Sequence, residues 1–449
     1  MKVSLFVELS VPKPWDASSE AQCILDNLAT VELADQVGFH GVWITEHHFL
    51  EEYAHASAPE VFLAALARTT KRIRLGHAVI QSIPLVNHPA RIAERIGMLD
   101  VISGGRVELG TGEGSSVAEL AGFNVDPGRK RDMWREGTKT AIRCMSETPF
   151  RGVEGEYISM PPRNVVPKPL QKPHPPLWVA CTRDSTIDLA SSHAIGALSF
   201  SLAGPEQASE RVTRYYDGLE SAIPFAASPN PNILFLGGNL VCAPTKDDAM
   251  NRIGWNSGFF GHGVAHYYTG PMHSPGRENL WQEYLDSATG RTQPLARDGS
   301  PLGGDRDDWE RLAKAAKEAQ LRDSAVGDVD QIRRWIERFE AAGADEIMFM
   351  LGAWNLEHDL ETVEKVGTLI LPAVIERDEQ HVADKQRRLA PLLERIEARR
   401  VDDVSPYPDD FRFGGVPVSW TDQKVHDEIG ASMREASALI QQKIDSPAQ

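Results

Sequence analysis

Short apolar segments alternate with amphipathic ones along most of the chain, and this alternation restricts the possible folds more than any other feature. Between the apolar segments, apolar residues recur at helical spacing, as in 20–37, and Gly38 and Gly104-Gly105 mark helix ends. The strand-like segments are residues 3–9, 41–46, 74–82, 106–114, 177–182, 197–202, 233–241 and 346–351. Because each helix returns the chain to the same end of the sheet, the strands run parallel. Eight parallel strands predict an α/β fold of the TIM-type (β/α)8 barrel class, with an open doubly wound sheet as the alternative.

Two insertions and a C-terminal extension interrupt the alternation. Residues 148–176 are rich in proline and glycine, and residues 255–305 are rich in aromatic side chains. A long loop in a compact barrel usually serves function, so we expect the second insertion to cover the barrel mouth as a lid; a packed excursion or a subunit contact is the alternative. The prediction is a barrel over 1–375 with these insertions, and a helical extension over 376–449 that serves packing or contacts in a homo-oligomer of two or more chains.

Composition excludes some classes of partner. The 449-residue chain has a net charge of -17, which disfavours nucleic acid, whose phosphates need clustered Lys and Arg, and an anionic membrane surface. No stretch reaches the roughly 18 apolar residues of a membrane span, and the N-terminal segment is too short and polar for a signal peptide. The four cysteines lack a metal or redox spacing, which favours reduced thiols and a cytoplasmic protein.

Chemically reactive residues follow four of the predicted strands. In a parallel barrel the active site lies where strands end and the loops to the helices begin. The four strand ends that carry such residues are Glu46-His47-His48, His77 to Gln81, Gly110 to Gly114, and Thr182 to Ser185. Their clustering at one end of the barrel predicts a site there, although each segment alone would be a weak signal.

Two adjacent histidines, His47 and His48, raise the question of which one takes part. Neighbouring strand residues point to opposite faces, so only one imidazole faces the mouth if the strand persists. This spacing disfavours a metal pair on the strand and favours one reactive histidine, able to donate, accept or relay a proton near neutral pH. The alternative is that both are ordinary polar residues of a loop.

The segment 181–191 indicates a site for an anion. Thr182 and Ser185 bring hydroxyls to a predicted helix N-terminus, and Arg183 adds a positive charge. An ordinary N-cap by Thr182 or Asp184 explains the same residues equally well. The alternating glycines of GTGEG (110–114) allow a ligand to approach the backbone, or simply form a tight turn.

Together these segments resemble bacterial luciferase and the luciferase-like flavin-dependent monooxygenases. The resemblance rests on WITEHHF (43–49), NHPARIAERIGMLDVISGGRVELGTGEG (87–114), the turn after the fifth strand, and GDVDQIRRWIERFEAAGADEIMF (327–349). It implies a TIM-type barrel that holds reduced flavin, usually FMN, at its mouth. There O2 forms a flavin C4a-peroxide that attacks a small organic substrate, which we expect to be apolar or ring-containing. It also implies a separate flavin reductase as partner.

The resemblance assigns roles to individual residues. His47 matches the catalytic histidine beside the flavin, and Glu46 matches an acidic residue near it. Ala78 and Val79 match the strand end that packs on the isoalloxazine, where the family often carries a non-prolyl cis peptide. The phosphate-binding turn is matched by Thr182 and Ser185.

Three other positions are less straightforward. His88 matches a second histidine near the site, although its place at a helix start also suits a structural role. Glu113 stands where luciferase itself places an arginine for the flavin phosphate, and Cys181 stands where luciferase has a glutamate. Because a carboxylate cannot hold a phosphate, Arg183 or backbone amides would have to supply that contact, and light emission is not expected.

Two other functions stay open. One is a deazaflavin-dependent reductase, or a non-enzymatic flavin binder, on the same fold. The other is a metal-dependent barrel hydrolase using Glu46, His47, His55 or His88, which the adjacent-histidine spacing disfavours. No metal is otherwise predicted.

Overall fold

The computed structural model describes residues 1–200, 204–269, 273–289, 291, 324–412 and 423–445. The chain divides into two compact units, Met1–Val404 and Ser405–Gln449, and each is described by itself. The second unit contains helix α14 (Gln423–Asp445). None of the described helices combines the length and apolar character needed to cross a membrane.

A closed parallel barrel forms the centre of the first unit. Its strands are β1 (Lys2–Val7), β2 (Gly41–Ile44), β3 (Arg74–His77), β5 (Val107–Gly112), β8 (Leu177–Cys181), β9 (Gly196–Ser199), β10 (Ile233–Cys242) and β12 (Glu346–Leu351). They pair in this order, and β12 pairs back with β1. The predicted TIM-type barrel is therefore confirmed, and the open sheet is excluded.

Four short strands lie outside this ring. β4 (Ile80–Gln81) continues β3 after a break and pairs with β5, and β11 (Val326–Gly327) pairs with the end of β10. Within the 148–176 insertion, β6 (Val153–Glu154) and β7 (Ser159–Met160) form an antiparallel pair.

Helices of the first unit surround the barrel or extend it. They are α1 (Ser19–Val37), α2 (Pro59–Thr69), α3 (Pro89–Ser103), α4 (Val117–Gly122), α5 (Lys130–Ser146), α6 (Asp184–Ser192), α7 (Pro205–Gly218), α8 (Lys246–Ile253), α9 (Asn256–Val264), α10 (Leu280–Ala288), α11 (Val329–Ala341), α12 (Leu356–Leu369) and α13 (Leu371–Glu397), with a 3-10 turn (Leu219–Ser221) and a π-helical turn (Ala265–Thr269).

Two helices end at the glycines that the sequence marked. α1 ends at Gly38, with φ of 100°, and α3 ends at Gly104, with φ of 73°. This left-handed conformation carries little cost only for a residue without a Cβ. Both predicted helix ends are confirmed.

The barrel interior is apolar with a polar floor. Large side chains fill it, namely Phe6, Trp43, Trp178, Leu198, Leu234, Leu236, Met348 and Met350. At the N-terminal ends of the strands, the Trp43 indole donates to Glu346 over 2.8 Å. The Trp178 indole donates to Glu108 over 2.7 Å, and Glu108 also pairs with Arg74. This satisfied floor leaves the C-terminal ends of the strands as the open mouth.

The aromatic insertion packs beside that mouth. Buried side chains of α9, the π-helical turn and α10 form one apolar cluster with Leu50 and Tyr53. The Phe260 ring contacts Phe6 of β1 edge-on, with centroids 6.3 Å apart. Residues 270–272, 290 and 292–305 of the predicted lid lie outside the described residues.

The predicted boundary at 375 falls inside α13. This helix runs without a break from residue 371 to 397 and buries side chains on both sides of the boundary, including Val374 and Leu389. Contacts divide the chain into its two units after Val404, and the division into a barrel domain and a helical extension stays a prediction. That the C-terminal helices make oligomer contacts stays a prediction.

Candidate functional site

His47 lies at the barrel mouth between two buried carboxylates. Its Nδ1 is 3.1 Å from Glu119 Oε1, and its Nε2 is 3.4 Å from Glu8 Oε1. Glu8 directly follows β1, His47 follows β2, and Glu119 lies in α4, so three separate segments meet here. The imidazole remains 16% exposed, whereas both carboxylates are almost fully buried. A partly accessible base between two acids can hold and move a proton.

The electrostatics of this group favour a charged histidine. Burial opposes the imidazolium, but the hydrogen bond to Glu119 and the charges of Glu119, Glu8 and Glu46 outweigh it and raise the pKa of His47 to about 9. Burial raises the pKa of Glu8 to about 7, although the nearby imidazolium lowers it. Near neutral pH, His47 therefore carries two N–H groups while Glu8 titrates beside it.

Glu46 does not contact His47 through a hydrogen bond but organises the adjoining loop. One of its oxygens accepts from the Gln81 backbone N–H over 2.9 Å, and the other accepts from Asn87 Nδ2 over 2.7 Å. His48 Nε2 lies 3.1 Å from the same carboxylate. β2 ends at Ile44, before either histidine, so His47 and His48 are not neighbouring strand residues that must point to opposite faces. Both imidazoles contact carboxylates, His47 that of Glu119 and His48 that of Glu46.

Ala78 and Val79 lie beside this group, at the break between β3 and β4. Their peptide bond is cis, and the Ala78 N–H donates to the Ile44 carbonyl of β2 over 2.7 Å. Val79 is partly exposed. A Cβ on Gly112 would lie 2.5 Å from Val79 Cγ2. The absence of a side chain at this position of β5 therefore allows the 78–79 segment to pack closely against the strand.

The predicted anion site lies two strands further round the barrel. Thr182, Arg183 and Ser185 are exposed at the N-terminus of α6, after β8. The N-cap is Arg183, not Thr182 or Asp184, and its N–H donates to Thr186 Oγ1 over 3.2 Å. Within the described residues, neither the Thr182 nor the Ser185 hydroxyl forms a hydrogen bond, so both are available to a ligand.

Two predicted site residues have local partners instead of joining the His47 group. His88 is the exposed N-cap of α3, and its Nδ1 accepts from the Ala90 N–H over 3.2 Å. Glu113 pairs with Arg131 at 3.1 Å and with Lys130 at 3.6 Å. These contacts suit a structural role, and binding of the cofactor by either residue stays a prediction.

Glu8, Glu119 and Tyr53 lie in the site but were not predicted from the sequence, and Tyr268 was predicted only as part of the insertion that covers the mouth. Glu8 directly follows β1 and carried the same signal as Glu46, an ionisable residue where an apolar strand stops. Glu119 and Tyr268 had no such signal. The Tyr268 hydroxyl lies 3.5 Å from His47 Nε2, and the Tyr53 ring lies 5.7 Å from the imidazole. Burial raises the pKa of both phenols well above its usual range, so they stay protonated.

Several buried polar atoms around the mouth lack a hydrogen-bond partner among the described residues. They are Glu8 Oε2, Gln81 Oε1, Ser116 Oγ and Glu119 Oε2. Such atoms are costly unless a ligand or water satisfies them. A cavity of about 430 Å³ adjoins Glu8 and continues between β1, β10, β12 and α1; its lining is mixed, with apolar Phe260 and Met350 and acidic Asp26 and Asp359. Its size suits a small organic molecule.

Comparison with known proteins adds a family and a fold. Residues 1–346 match the family model described as luciferase-like monooxygenase. Two uncharacterised Sinorhizobium fredii proteins, y4wF and y4vJ, are each 32% identical, over 49% and 45% of this chain; the alignments span 62% and 53% of those relatives. The oxygenase component of a flavin-dependent trigonelline monooxygenase from Acinetobacter baylyi is 25% identical over 84% of this chain and 96% of that protein.

Solved structures share the fold. The oxygenating constituent of 3,6-diketocamphane monooxygenase from Pseudomonas putida, in complex with FMN, gives a TM-score of 0.61 at 20% identity, covering 83% of this chain and 98% of that one. An F420-dependent secondary alcohol dehydrogenase gives a TM-score of 0.59 at 16% identity, covering 82% and 98%. At these identities the likeness shows the barrel alone.

Proposed function

Because the chain belongs to the luciferase-like monooxygenase family, we propose that it is the oxygenase component of a two-component enzyme. It uses reduced FMN, delivered by a separate flavin reductase, and O2 to oxygenate a small apolar or ring-containing substrate. The observation that carries this proposal is the His47 imidazole between Glu8 and Glu119 at the barrel mouth. The oxygenase-component name of the Acinetobacter relative and the FMN in the diketocamphane enzyme support it.

The residues at the mouth fit a reduced flavin. Ala78 and the partly exposed Val79 offer an apolar bed for a flat ring. The unpartnered Gln81 Oε1 and Ser116 Oγ offer hydrogen bonds to polar ring atoms. The exposed hydroxyls and backbone N–H groups at the start of α6 suit a phosphate. When bound, reduced FMN supplies the two electrons that activate O2.

His47 is the group that moves a proton. Its Nδ1–H donates to the buried Glu119, which fixes the ring and leaves Nε2–H as the mobile proton. Glu8 Oε1 lies 3.4 Å from Nε2 and titrates near neutrality, so it can return that proton. Glu46 holds the loop of Gln81 and Asn87 against this group and acts as a positioning residue.

The aromatic insertion and the cavity complete the site. Phe260 packs on both Phe6 and Tyr53, and Tyr268 approaches His47, so side chains of the insertion shield the mouth from water. The adjoining cavity, whose mixed lining includes the Glu8 carboxyl and apolar side chains such as Phe260 and Met350, is the proposed substrate pocket. This arrangement would keep water away from a bound flavin and its substrate.

A second function is a deazaflavin-dependent reductase, favoured by the F420-dependent neighbour of the same fold. Such an enzyme needs a protonated residue at the mouth but no O2. The same His47 group serves either reaction, so only the cofactor and the fate of O2 separate them.

One experiment distinguishes the two. The purified chain is titrated anaerobically with reduced FMN and, in parallel, with reduced F420, and each complex is mixed with O2 and a panel of ring compounds. We expect binding of reduced FMN and an O2-dependent product one oxygen atom heavier than its substrate. Substrate reduction by F420 without O2 would favour the second function, and binding of neither cofactor would overturn both.

A further inference from the structure

Two histidines and a glutamate of the aromatic insertion converge on one point. His266 Nε2 lies 3.0 Å from His273 Nδ1, and Glu278 Oε2 lies 2.8 Å from His273 Nδ1 and 3.3 Å from His266 Nε2. The side chains are only 8%, 11% and 21% exposed. Ligands about 2.0–2.1 Å from a tetrahedral zinc ion lie roughly 3.3–3.4 Å apart, so small side-chain adjustments accommodate an ion among these three atoms.

The atoms of His273 and Glu278 that face away from the shared point form hydrogen bonds, as the outer atoms of metal ligands usually do. His273 Nε2 lies 3.1 Å from Glu51 Oε1, which also accepts from the Gly276 N–H over 2.7 Å. A proton on Nε2 donated to Glu51 leaves the Nδ1 lone pair facing the shared point. Glu278 Oε1 accepts from the Ser274 N–H over 2.8 Å, so Oε2 is the oxygen that faces the two imidazoles. A carboxylate that orients a histidine behind a metal is the common arrangement in such sites.

Hydrogen bonding alone accounts poorly for this convergence. With neutral imidazoles and Nε2 of His273 protonated, His273 Nδ1 and Glu278 Oε2 are both acceptors, and the His266 ring can bring at most one N–H between them. A doubly protonated His273 would donate to both Glu51 and Glu278. The His266 Nε2 would then have only a share of the proton that His273 Nδ1 donates to Glu278. A cation satisfies all three atoms at once.

We propose that His266, His273 and Glu278 bind a divalent transition-metal ion of the Zn²⁺ type, with Glu51 orienting His273. Two imidazole nitrogens and one carboxylate oxygen suit zinc better than Mg²⁺ or Ca²⁺, which prefer oxygen ligands alone. Within the part of the chain that the structure describes, no other group of histidine, cysteine and carboxylate side chains has this geometry.

The proposed ion has a structural consequence. It would tie the π-helical turn, which carries Tyr268, to the 273–278 segment and, through Glu51, to the loop that carries Tyr53. The neighbouring Glu52 already accepts from the Leu280 N–H over 2.6 Å at the start of α10. The metal site would thus fasten the aromatic insertion to the barrel loop beside His47. It is separate from the flavin chemistry and does not depend on it.

The test measures metal directly and needs no activity. Untagged full-length protein is stripped with a chelator, incubated with Zn²⁺, passed over a desalting column and analysed for metal by mass spectrometry. We expect about one zinc per chain, falling below about 0.1 in His273→Ala and in Glu278→Gln, because loss of one of three ligands leaves too little binding energy. Glu51→Gln should weaken zinc binding by roughly 10–100-fold.

His262→Ala is the matched control, since His262 lies one turn before His266 on the same stretch of helix but outside the cluster. This variant should retain the full zinc content. Glu278→Gln keeps an oxygen for the Ser274 N–H, so it reports on the metal even if His273→Ala fails to fold. The proposal is overturned if the parent protein binds no zinc, or if His273→Ala or Glu278→Gln retains as much as the parent.

Discussion

The two ends of the barrel treat buried carboxylates differently. At the floor, Glu346 Oε1 accepts from the Ser4 hydroxyl over 2.5 Å and from the Trp43 indole over 2.8 Å. Glu108 accepts from the Trp178 indole through one oxygen and pairs with Arg74 through the other. At the mouth, Glu8 and Glu119 each contact His47 through one oxygen, while the other oxygen is fully buried and has no partner among the described residues.

This difference separates structural from functional carboxylates better than pKa does. Burial raises the pKa of Glu346 at the floor as well as that of Glu8 at the mouth. An unpartnered buried polar atom, by contrast, costs roughly 1–3 kcal/mol. Four such atoms lie around the mouth, where a ligand is expected to supply the missing partners.

The largest expected effect comes from removing the centre of the mouth. His47→Ala should lower substrate oxygenation by roughly 10²–10⁴-fold, because the proton that Nε2 supplies is lost. Flavin affinity should change little, since the proposed ring and phosphate contacts lie elsewhere. Stopped-flow turnover and a flavin titration measure the two effects; unchanged turnover would remove His47 from the mechanism.

A matched pair of carboxylate variants compares the two ends directly. Glu119→Gln should reduce turnover by about 10²-fold, because the neutral amide no longer stabilises the imidazolium. Glu346→Gln should leave turnover nearly unchanged but lower the free energy of unfolding by about 1–3 kcal/mol, since the amide brings an N–H without an acceptor. Urea unfolding and steady-state rates on both proteins check this. Equal effects on turnover would break the distinction between floor and mouth.

Removing the hydroxyls at the start of α6 should weaken flavin binding. The double variant Thr182→Ala/Ser185→Ala should raise the dissociation constant of reduced FMN by roughly 10²-fold, because each of two lost hydrogen bonds to a charged group is worth at least about 1.5 kcal/mol. Ser192→Ala, at the other end of the same helix, is the control and should have no effect. Equal affinity of the double variant and the parent would move the phosphate site elsewhere.

The pH dependence should report the coupling between Glu8 and His47. Turnover should fall as pH rises through about 7, where Glu8 loses the proton that it returns to His47, and fall further above about 9, where His47 loses its own proton. Glu8→Gln should abolish the first decline and move the second to lower pH, because the Glu8 charge helps raise the histidine pKa.

The same pKa shifts predict how stability changes with pH. The His47 pKa is raised above its ordinary value of 6.5, so its contribution is complete below that value and is lost as pH rises towards 9. The raised pKa of Glu8 has the same sign, and its contribution is lost as pH rises through about 7. Unfolding of the parent and of Glu8→Gln between pH 4.5 and 7 should show a shallower decline in the variant; parallel declines would contradict the shift at Glu8.

The smallest effect is expected for the tyrosine over the mouth. Tyr268→Phe should lower turnover only about two- to fivefold, because its hydroxyl makes one long contact to His47 at 3.5 Å. The fraction of reduced flavin that yields hydrogen peroxide instead of product should rise slightly. A loss as large as that of His47→Ala would make Tyr268 a proton donor in its own right.

Local patterns in the sequence were sufficient for the barrel and for part of the site. Strand and helix periodicities, with glycines such as Gly38 at helix ends, are encoded residue by residue. His47 and Glu46 were identifiable because they stop an apolar strand, and Glu8 could have been found by the same rule. His88 and Glu113 matched the family by position, but their observed contacts, a helix cap and an ion pair, depend on neighbours in the fold.

The remaining site residues had no local signal. Glu119 reaches His47 because α4 folds back across the mouth, 72 positions later in the chain. Tyr268 arrives from the insertion, 221 positions away. The grouping of His266 with Glu278 depends on how a π-helical turn and the following segment fold together. The spacing of residues along the chain does not predict such contacts, because they arise from the packing of segments that are distant in the sequence.

Closure of the barrel also has a consequence for how the protein is made. β1 needs β12 as its second neighbour, and 342 positions separate Ser4 from Glu346 across that pair. At about 5–20 residues per second, a ribosome needs tens of seconds to bridge this distance. Throughout that time one edge of the nascent N-terminal strand, which leads to Glu8, has no native partner. We expect newly synthesised chains to depend on chaperones that shield this edge, and truncation before residue 346 to yield aggregating products.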